Sequence, residues 1–262
     1  PNSGGSSLIT NLNGLSNLTI VNGNLNLLYV GESVDLTGLN NITTVSSQVY
    51  FNQNYFTEIE SFQNLKTIGE DLKIENNNNL ISIKGFSKLE TINGNLYIYG
   101  NPKFESFDTA NNLKTINGDV TVRYSHSLKF VGLNELNFIG GELVFRENLF
   151  ESISGFNNLL QVEKKIYIYR NEKLKYFNGF AKVNSLGDFG VLGNIELISF
   201  LGFDLLKEVK GSFGFAENPK LEIMSKFNNL ESIEGDFIIN QASISNLEGF
   251  NLLKSNVSNL NI

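Results

Sequence analysis

The sequence predicts an all-β protein: a single right-handed β-solenoid of about 10–11 coils, with a parallel sheet along one face and few or no helices. Three observations lead to this prediction. A ten-residue pattern, Leu-x-x-Ile-x-Gly-x-Leu-x-Ile, recurs at nearly constant spacing along the chain. Its apolar residues alternate as they do in a strand with one buried face. No segment shows the apolar period of an amphipathic helix.

The pattern is clearest at residues 65–74, 89–98, 113–122 and 230–239. We number each coil from the first apolar residue of the pattern, which is position 0. Successive coils then begin 23 or 24 residues apart, at Leu18, Ile42, Leu65, Leu89, Leu113, Leu136, Leu159, Val183, Leu206, Leu230 and Leu253. Self-similarity at such a period is typical of proteins whose coils stack and pack only on their neighbours.

Each part of the repeat has a predicted place in the coil. Positions 7 and 9 are apolar and should face the core, whereas positions 8 and 10 should face solvent. An asparagine at position 12 should hydrogen-bond the buried backbone of a turn and stack on the same residue of the next coil; Ser125 replaces it once and Asn194 is shifted by one residue. Phenylalanine recurs later in the coil and should form a ladder in the core, which Ala110 and Leu133 interrupt: Phe62, Phe86, Phe156, Phe180, Phe203, Phe227 and Phe250.

The amino-acid composition argues against several classes of partner and functional site. The chain has 262 residues, a net charge of -7 and a pI near 4.9, which argues against a nucleic-acid partner. It lacks cysteine, so disulfides, thiolate metal sites and a cysteine nucleophile are excluded. The single histidine, His126, has no second histidine to complete a metal site. No apolar run approaches the ~18 residues of a membrane span. We therefore expect no metal, no cofactor and no transmembrane segment in this chain.

Residues 89–104, Leu-Glu-Thr-Ile-Asn-Gly-Asn-Leu-Tyr-Ile-Tyr-Gly-Asn-Pro-Lys-Phe, resemble the receptor L-domain type of leucine-rich repeat. The resemblance covers about residues 12–262. This type occurs in the ectodomains of insulin- and epidermal-growth-factor-type receptors and in fungal, bacterial and protist surface proteins. It implies a leucine-rich-repeat solenoid in an extracellular or cell-surface setting. Because the receptor domains carry disulfides and this chain has no cysteine, the resemblance favours the microbial surface proteins. It fixes no binding residue.

The outward strand positions should carry the function, because the inward ones are committed to the core. The only three arginines of the chain fall near this strand edge in three consecutive coils, and tyrosines flank them. Tyrosine and arginine are enriched in binding hot spots. The clustering is also compatible with a simple preference of tyrosine and arginine for exposed strand positions. The candidate ligand-binding residues are Tyr97, Tyr99, Arg123, Tyr124, Arg146, Tyr167, Tyr169 and Arg170. By the same count, Val191 and Gly193 should also face outward.

Carboxylates recur at position 6, and Asp119 and Glu142 among them should lie on adjacent strands. Their separation could approach the ~5–9 Å of glycosidase carboxylate pairs. One acidic or amide residue per coil is equally typical of a solvated surface.

The sequence therefore predicts a non-enzymatic recognition or adhesion module at the cell surface or outside the cell, which binds protein or glycan through its outward strands. A structural spacer or stalk is the first alternative, and a carbohydrate-active enzyme that uses Asp119 and Glu142 is the second. Residues 1–7 are expected to be a linker or an expression remnant, and residues 8–262 the solenoid. Because the chain ends on a strand pattern at Ile262, we expect it to continue into an anchoring or sorting domain.

Overall fold

The computed structural model describes residues 9–107, 112–254 and 257–262, and it confirms a nearly all-β solenoid of about 10 turns. The described helices are two short 3₁₀ turns, Asn13–Leu15 and Thr37–Leu39, at the N-terminal end. The predicted linker at residues 1–7 and the ladder position Ala110 lie outside the described residues.

Each coil has three sides, and parallel strands line all of them, not only the expected face. The first side has short strands at positions 2 and 3: Ile20–Val21, Thr44–Val45, Thr67–Ile68, Thr91–Ile92, Thr115–Ile116, Phe138–Ile139, Glu208–Val209 and Ser232–Ile233. The second side has the strands that begin near position 7: Leu25–Leu28, Val49–Asn52, Leu72–Glu75, Leu96–Tyr99, Val120–Arg123, Leu143–Arg146, Phe213–Asn218, Phe237–Ala242 and Leu260–Asn261. In two coils one long strand covers both sides: Gln161–Tyr169 and Ser185–Leu192.

The third side completes the coil with Glu58–Ile59, Ser82–Ile83, Ser106–Phe107, Lys129–Gly132, Ser152–Gly155, Tyr176–Gly179, Ser199–Leu201 and Ile223–Met224. Among the described residues, the first two sides form one 19-stranded sheet and the third side an 8-stranded sheet. On the second side the strands pair in register, so that equivalent residues of successive coils stand side by side.

One coil departs from the predicted register. Val191 and Gly193 are buried, and Gly190 and Leu192 face outward in their place, so the prediction that Val191 and Gly193 face solvent was wrong. The cause is a shortened corner, where Gly187 alone stands opposite Glu163 and Lys164 of the preceding coil. A Cβ atom on Gly187 would meet the Lys164 carbonyl oxygen at 1.6 Å, so this close approach requires glycine.

The asparagine ladder is present and fully buried along the stack. Asn171 is representative: its Oδ1 accepts hydrogen bonds from the backbone N–H of Asn148 at 3.1 Å and from the Asn148 side chain at 2.9 Å. Its Nδ2 donates to the Phe145 carbonyl at 3.1 Å. The other members make equivalent bonds: Asn54, Asn77, Asn101, Asn148, Asn194 and Asn218. The side chains therefore supply hydrogen bonds to a turn backbone that water does not reach.

The phenylalanine ladder stands on the opposite wall of the core. Successive rings lie 5.3 Å apart from Phe62 to Phe86 and 5.2 Å from Phe180 to Phe203. Phe62, Phe86, Phe156, Phe180 and Phe203 all have left-handed backbone with φ near 60°. This conformation costs a non-glycine residue about 1–2 kcal/mol. Burial of each ring offsets that cost, since a fully buried phenylalanine contributes about 1.5–3 kcal/mol. Leu133 occupies the same corner with the same backbone.

We expect Asn171→Ala to lower the free energy of unfolding by about 3 kcal/mol, because it leaves the buried amide groups of Asn148 without their acceptor. Urea denaturation would measure the change. The exposed Asn157→Ala is the control and should change stability by less than about 0.5 kcal/mol. Equal effects of the two substitutions would contradict the ladder's role.

Ser125 interrupts the ladder, and its buried Oγ has no hydrogen-bond partner among the residues that the structure describes. We expect Ser125→Asn to raise the free energy of unfolding by about 1 kcal/mol, because an asparagine can bond both neighbouring coils. Ser125→Ala removes only the unpaired hydroxyl and should leave stability nearly unchanged. A Ser125→Asn protein that unfolds at lower urea concentration than Ser125→Ala would show that the site does not accept the amide.

Candidate ligand-binding surface

The second-side strands bring most of the predicted residues together. Tyr99, Arg123, Arg146 and Tyr169 stand side by side on four consecutive strands at position 10. Tyr167 lies next to them at position 8. Tyr97 lies beside Tyr99 on the same face of one strand, but its ring contacts Lys73 Nζ at 5.8 Å on the side away from the arginines. Thr121 and Val144 separate it from Tyr167 in the same row. At the usual spacing of strands, this distance is about 14 Å.

A third outward row follows at position 11, where strand alternation does not predict one. Tyr124, Glu147 and Arg170 occupy this position in three consecutive coils, with left-handed φ of 56°, 55° and 49°. The left-handed residue turns the chain at the strand end, so its side chain lies beside that of position 10 rather than in the core. Arg170 is exposed, and the other two are half-buried.

Sequence reasoning missed Glu147, which organises the surface. Its Oε2 accepts from Arg123 Nε at 3.0 Å and from an Arg123 terminal nitrogen at 2.7 Å. Its Oε1 lies 3.2 Å from a terminal nitrogen of Arg146. Arg123 also donates to the Tyr124 hydroxyl at 2.7 Å. Its position in the repeat could have identified it, because Glu147 occupies position 11 in the coil between those of Tyr124 and Arg170.

The electrostatics agree with this geometry. The hydrogen bond from the Tyr124 hydroxyl, followed by the hydrogen bond and charge of Arg123, lowers the pKa of Glu147 to about 2, although partial burial opposes the shift. The carboxylate therefore stays ionised well below neutral pH. It holds the first two guanidinium groups in place before any ligand arrives.

Aromatic rings also contact the guanidinium groups, and one of these contacts orients the third arginine. Arg146 and Arg170 lie over the ring of Tyr169, with Cζ atoms 5.2 and 4.9 Å from its centre. Tyr167 stacks on Tyr169 at 5.5 Å. At the other end, Tyr99 meets Tyr124 edge to face at 5.3 Å. We call this continuous group the Tyr/Arg surface: Tyr99, Arg123, Tyr124, Arg146, Glu147, Tyr167, Tyr169 and Arg170.

Arg170 differs from its two neighbours. Within the part of the chain that the structure describes, it has no carboxylate at ion-pair distance, whereas Arg123 and Arg146 share Glu147. Its guanidinium is thus oriented by Tyr169 and retains donors for a ligand.

The predicted carboxylate pair has other partners. Asp119 Oδ1 accepts from the backbone N–H of Glu142 at 2.9 Å, and Glu142 Oε2 lies 3.2 Å from Lys165 Nζ. The bond to Glu142 belongs to a series in which a position-6 side chain accepts from the backbone of the next coil, as Asp71 does from Asn95. These contacts give both carboxylates a structural role at the start of the strand.

In comparisons with models of known families, with curated proteins and with solved structures, nothing matches this chain. The resemblance to receptor L-domains thus stays a prediction from the repeat, and function must be argued from the surface. No helix among the described residues has the length and apolar character needed to cross a bilayer.

The low pKa of Glu147 makes stability pH-dependent. Because its folded pKa of about 2 lies below the ordinary 4.5, the ionised carboxylate stabilises the fold above pH 4.5, and this contribution is lost as the pH falls towards 2. We expect the stability difference between the native protein and Glu147→Gln, measured by urea denaturation, to shrink between pH 5 and pH 2. A difference that stays constant over this range would contradict the assignment.

Proposed function

We propose that this protein is a non-enzymatic recognition module that acts at the cell surface or outside the cell and binds protein or glycan through the Tyr/Arg surface. The observation that supports the proposal most is the grouping of every arginine of the chain in three adjacent coils, with two guanidinium groups on one tyrosine ring. A chain of net charge -7 concentrates its arginines where a ligand can reach them.

The surface has the properties of an efficient binding site. Tyrosine and arginine contribute large contact areas and several hydrogen-bond donors. Here Glu147 and the ring of Tyr169 already restrict the arginine side chains, so binding loses less conformational entropy than it would with free side chains. The paired strands beneath them form a stiff support for these positions.

The two alternatives have less support. A spacer would need no shared orientation of its outward side chains, whereas the arginines here converge on Glu147 and Tyr169. A carbohydrate-active enzyme would need an available pair of carboxylates. Asp119 instead bonds the backbone of the next coil, and Glu142 pairs with Lys165.

Replacement of both arginines on Tyr169 tests the proposal. We expect Arg146→Ala/Arg170→Ala to weaken binding at least ~10-fold, equivalent to about 1.4 kcal/mol, because it removes donors near the centre of the surface. Arrays of immobilised glycans and of cell-surface proteins would identify the ligand of the native protein, and a biosensor would compare affinities.

The matched control is Lys103→Ala/Lys182→Ala, which also removes two positive charges. Both lysines are exposed, and each donates a hydrogen bond to an asparagine side chain. It should bind as the native protein does. Urea midpoints would establish that all three proteins are folded. Absence of any ligand on the arrays, or unchanged binding by the arginine variant, would favour the spacer.

A further inference from the structure

The Tyr/Arg surface continues into a depression on the outward side of the second-side strands. Gly190 and Gly214 stand side by side at its floor, in consecutive coils. Tyr167 bounds it on one side and Ile238 on the other, and its volume is about 370 Å³.

The two glycines have no evident role in strand pairing. Glycine in a strand loses conformational entropy and contributes no side chain to packing, so it often marks a place where another group approaches the backbone. Other coils have Thr121, Val144 and Ile238 in this row. At Gly190 a Cβ atom would lie 2.8 Å from the Tyr167 ring, which therefore lies across the backbone of the next strand.

The lining combines apolar and polar groups in a defined arrangement. Tyr167, Leu192 and Ile238 present apolar surface, whereas Lys165, Asp188 and Ser212 stand along the edge nearest the strand start. Asp188 and Ser212 each accept one backbone hydrogen bond from the next coil, and Lys165 pairs with Glu142. Each of the three groups has further donors or acceptors for a ligand. A pyranose ring matches this arrangement, since it has apolar C–H faces and a rim of hydroxyl groups. An aliphatic side chain of a protein partner would cover the polar edge without bonding it, which costs free energy.

Charge identifies the kind of sugar. The Arg170 side chain reaches the border of the depression, where its Cγ lies 3.3 Å from the Cβ position of Gly193, directly after Leu192. The Glu217 carboxylate lies 3.7 Å from the same point. Three arginines and Lys165 stand against four carboxylates, so the charges balance, but among the described residues Arg170 has no carboxylate at ion-pair distance. Arginine binds carboxylates through two parallel hydrogen bonds.

We propose that the ligand of the Tyr/Arg surface is an acidic glycan, with one pyranose ring seated over Gly214 against the Tyr167 ring, which covers Gly190, and with its carboxylate on Arg170. This inference rests on the proposed function and specifies its ligand. The probes that test it are hexagalacturonate and a hyaluronan hexasaccharide, each compared with its fully methyl-esterified form, by titration calorimetry.

The native protein should bind at least one acidic hexasaccharide and should bind the corresponding ester at least ~10-fold more weakly. Gly214→Val fills the depression, and it should weaken binding of both forms at least ~10-fold. Valine suits an exposed strand position, as Val144 shows in this row. At Gly214 its Cβ would lie 3.2 Å from Ile238 Cβ, so the neighbouring strand must shift by a few tenths of an ångström. The matched control is Asn26→Val, which makes a valine in the same row at the N-terminal end. Tyr167→Ala should repeat the loss through the wall of the depression, and urea midpoints would verify that each variant is folded.

Arg170→Ala should remove the preference for acid over ester while the ester still binds. Binding of neither acidic probe by the native protein would overturn the acidic-glycan proposal, and the arrays would still test the surface as a recognition site. If Gly214→Val binds the acidic hexasaccharide with the same affinity as Asn26→Val, the depression is not the sugar site. If Arg170→Ala still weakened binding in that case, the Tyr/Arg surface would stand without the depression.

Discussion

From Asn54 to Asn218, successive coils turn a corner inside the stack, where the backbone amide groups have no access to water. The asparagine at position 12 supplies the missing hydrogen bonds, and the rest of the structure depends on them. By bonding the same residue of the next coil, as Asn148 bonds Asn171, the ladder fixes how the coils stand over one another. The residue before position 12 has left-handed backbone both where the asparagine is present and where Ser125 replaces it. The placement of Glu147 and Arg170 beside position 10 follows from that corner.

The sequence was sufficient to predict the features that every coil must satisfy. Inward strand residues, the buried asparagine and the aromatic ladder recur because each coil has the same core to fill, and repetition makes the requirement visible. A feature that occurs in a single coil is not repeated, so the repeat pattern does not predict it. The shortened corner at Gly187 shifts the strand register by one residue, so that Val191 faces the core. Hydrophobic alternation alone could not locate that shift. The sign of φ at position 11 is likewise absent from an alternating pattern, so Glu147 was missed.

The candidate site uses the freedom that the repeat leaves. Its scaffold is the same from coil to coil, whereas its outward residues differ in each, and differences between neighbours create the Tyr/Arg surface. A single carboxylate, Glu147, orders two arginines, and the Tyr169 ring orders the third. The adjacent depression forms because Gly190 and Gly214 have no side chains, whereas other coils have branched residues in this row. Together these features provide charge, flat aromatic surface and space along seven consecutive strands.

The two hydrogen-bonded ladders run in opposite directions along the stack. At position 12 the backbone of one coil donates to the side chain of the next, whereas at position 6 the next coil's backbone donates to the side chain of the one before, as Glu142 does to Asp119. A coil with both residues therefore donates hydrogen bonds to, and accepts them from, each of its two neighbours. It can pack against any coil that has the same donors and acceptors. Genetic recombination could insert, delete or exchange whole coils without disturbing the core, so such a gene can change the length and outward chemistry of its product in steps of one repeat.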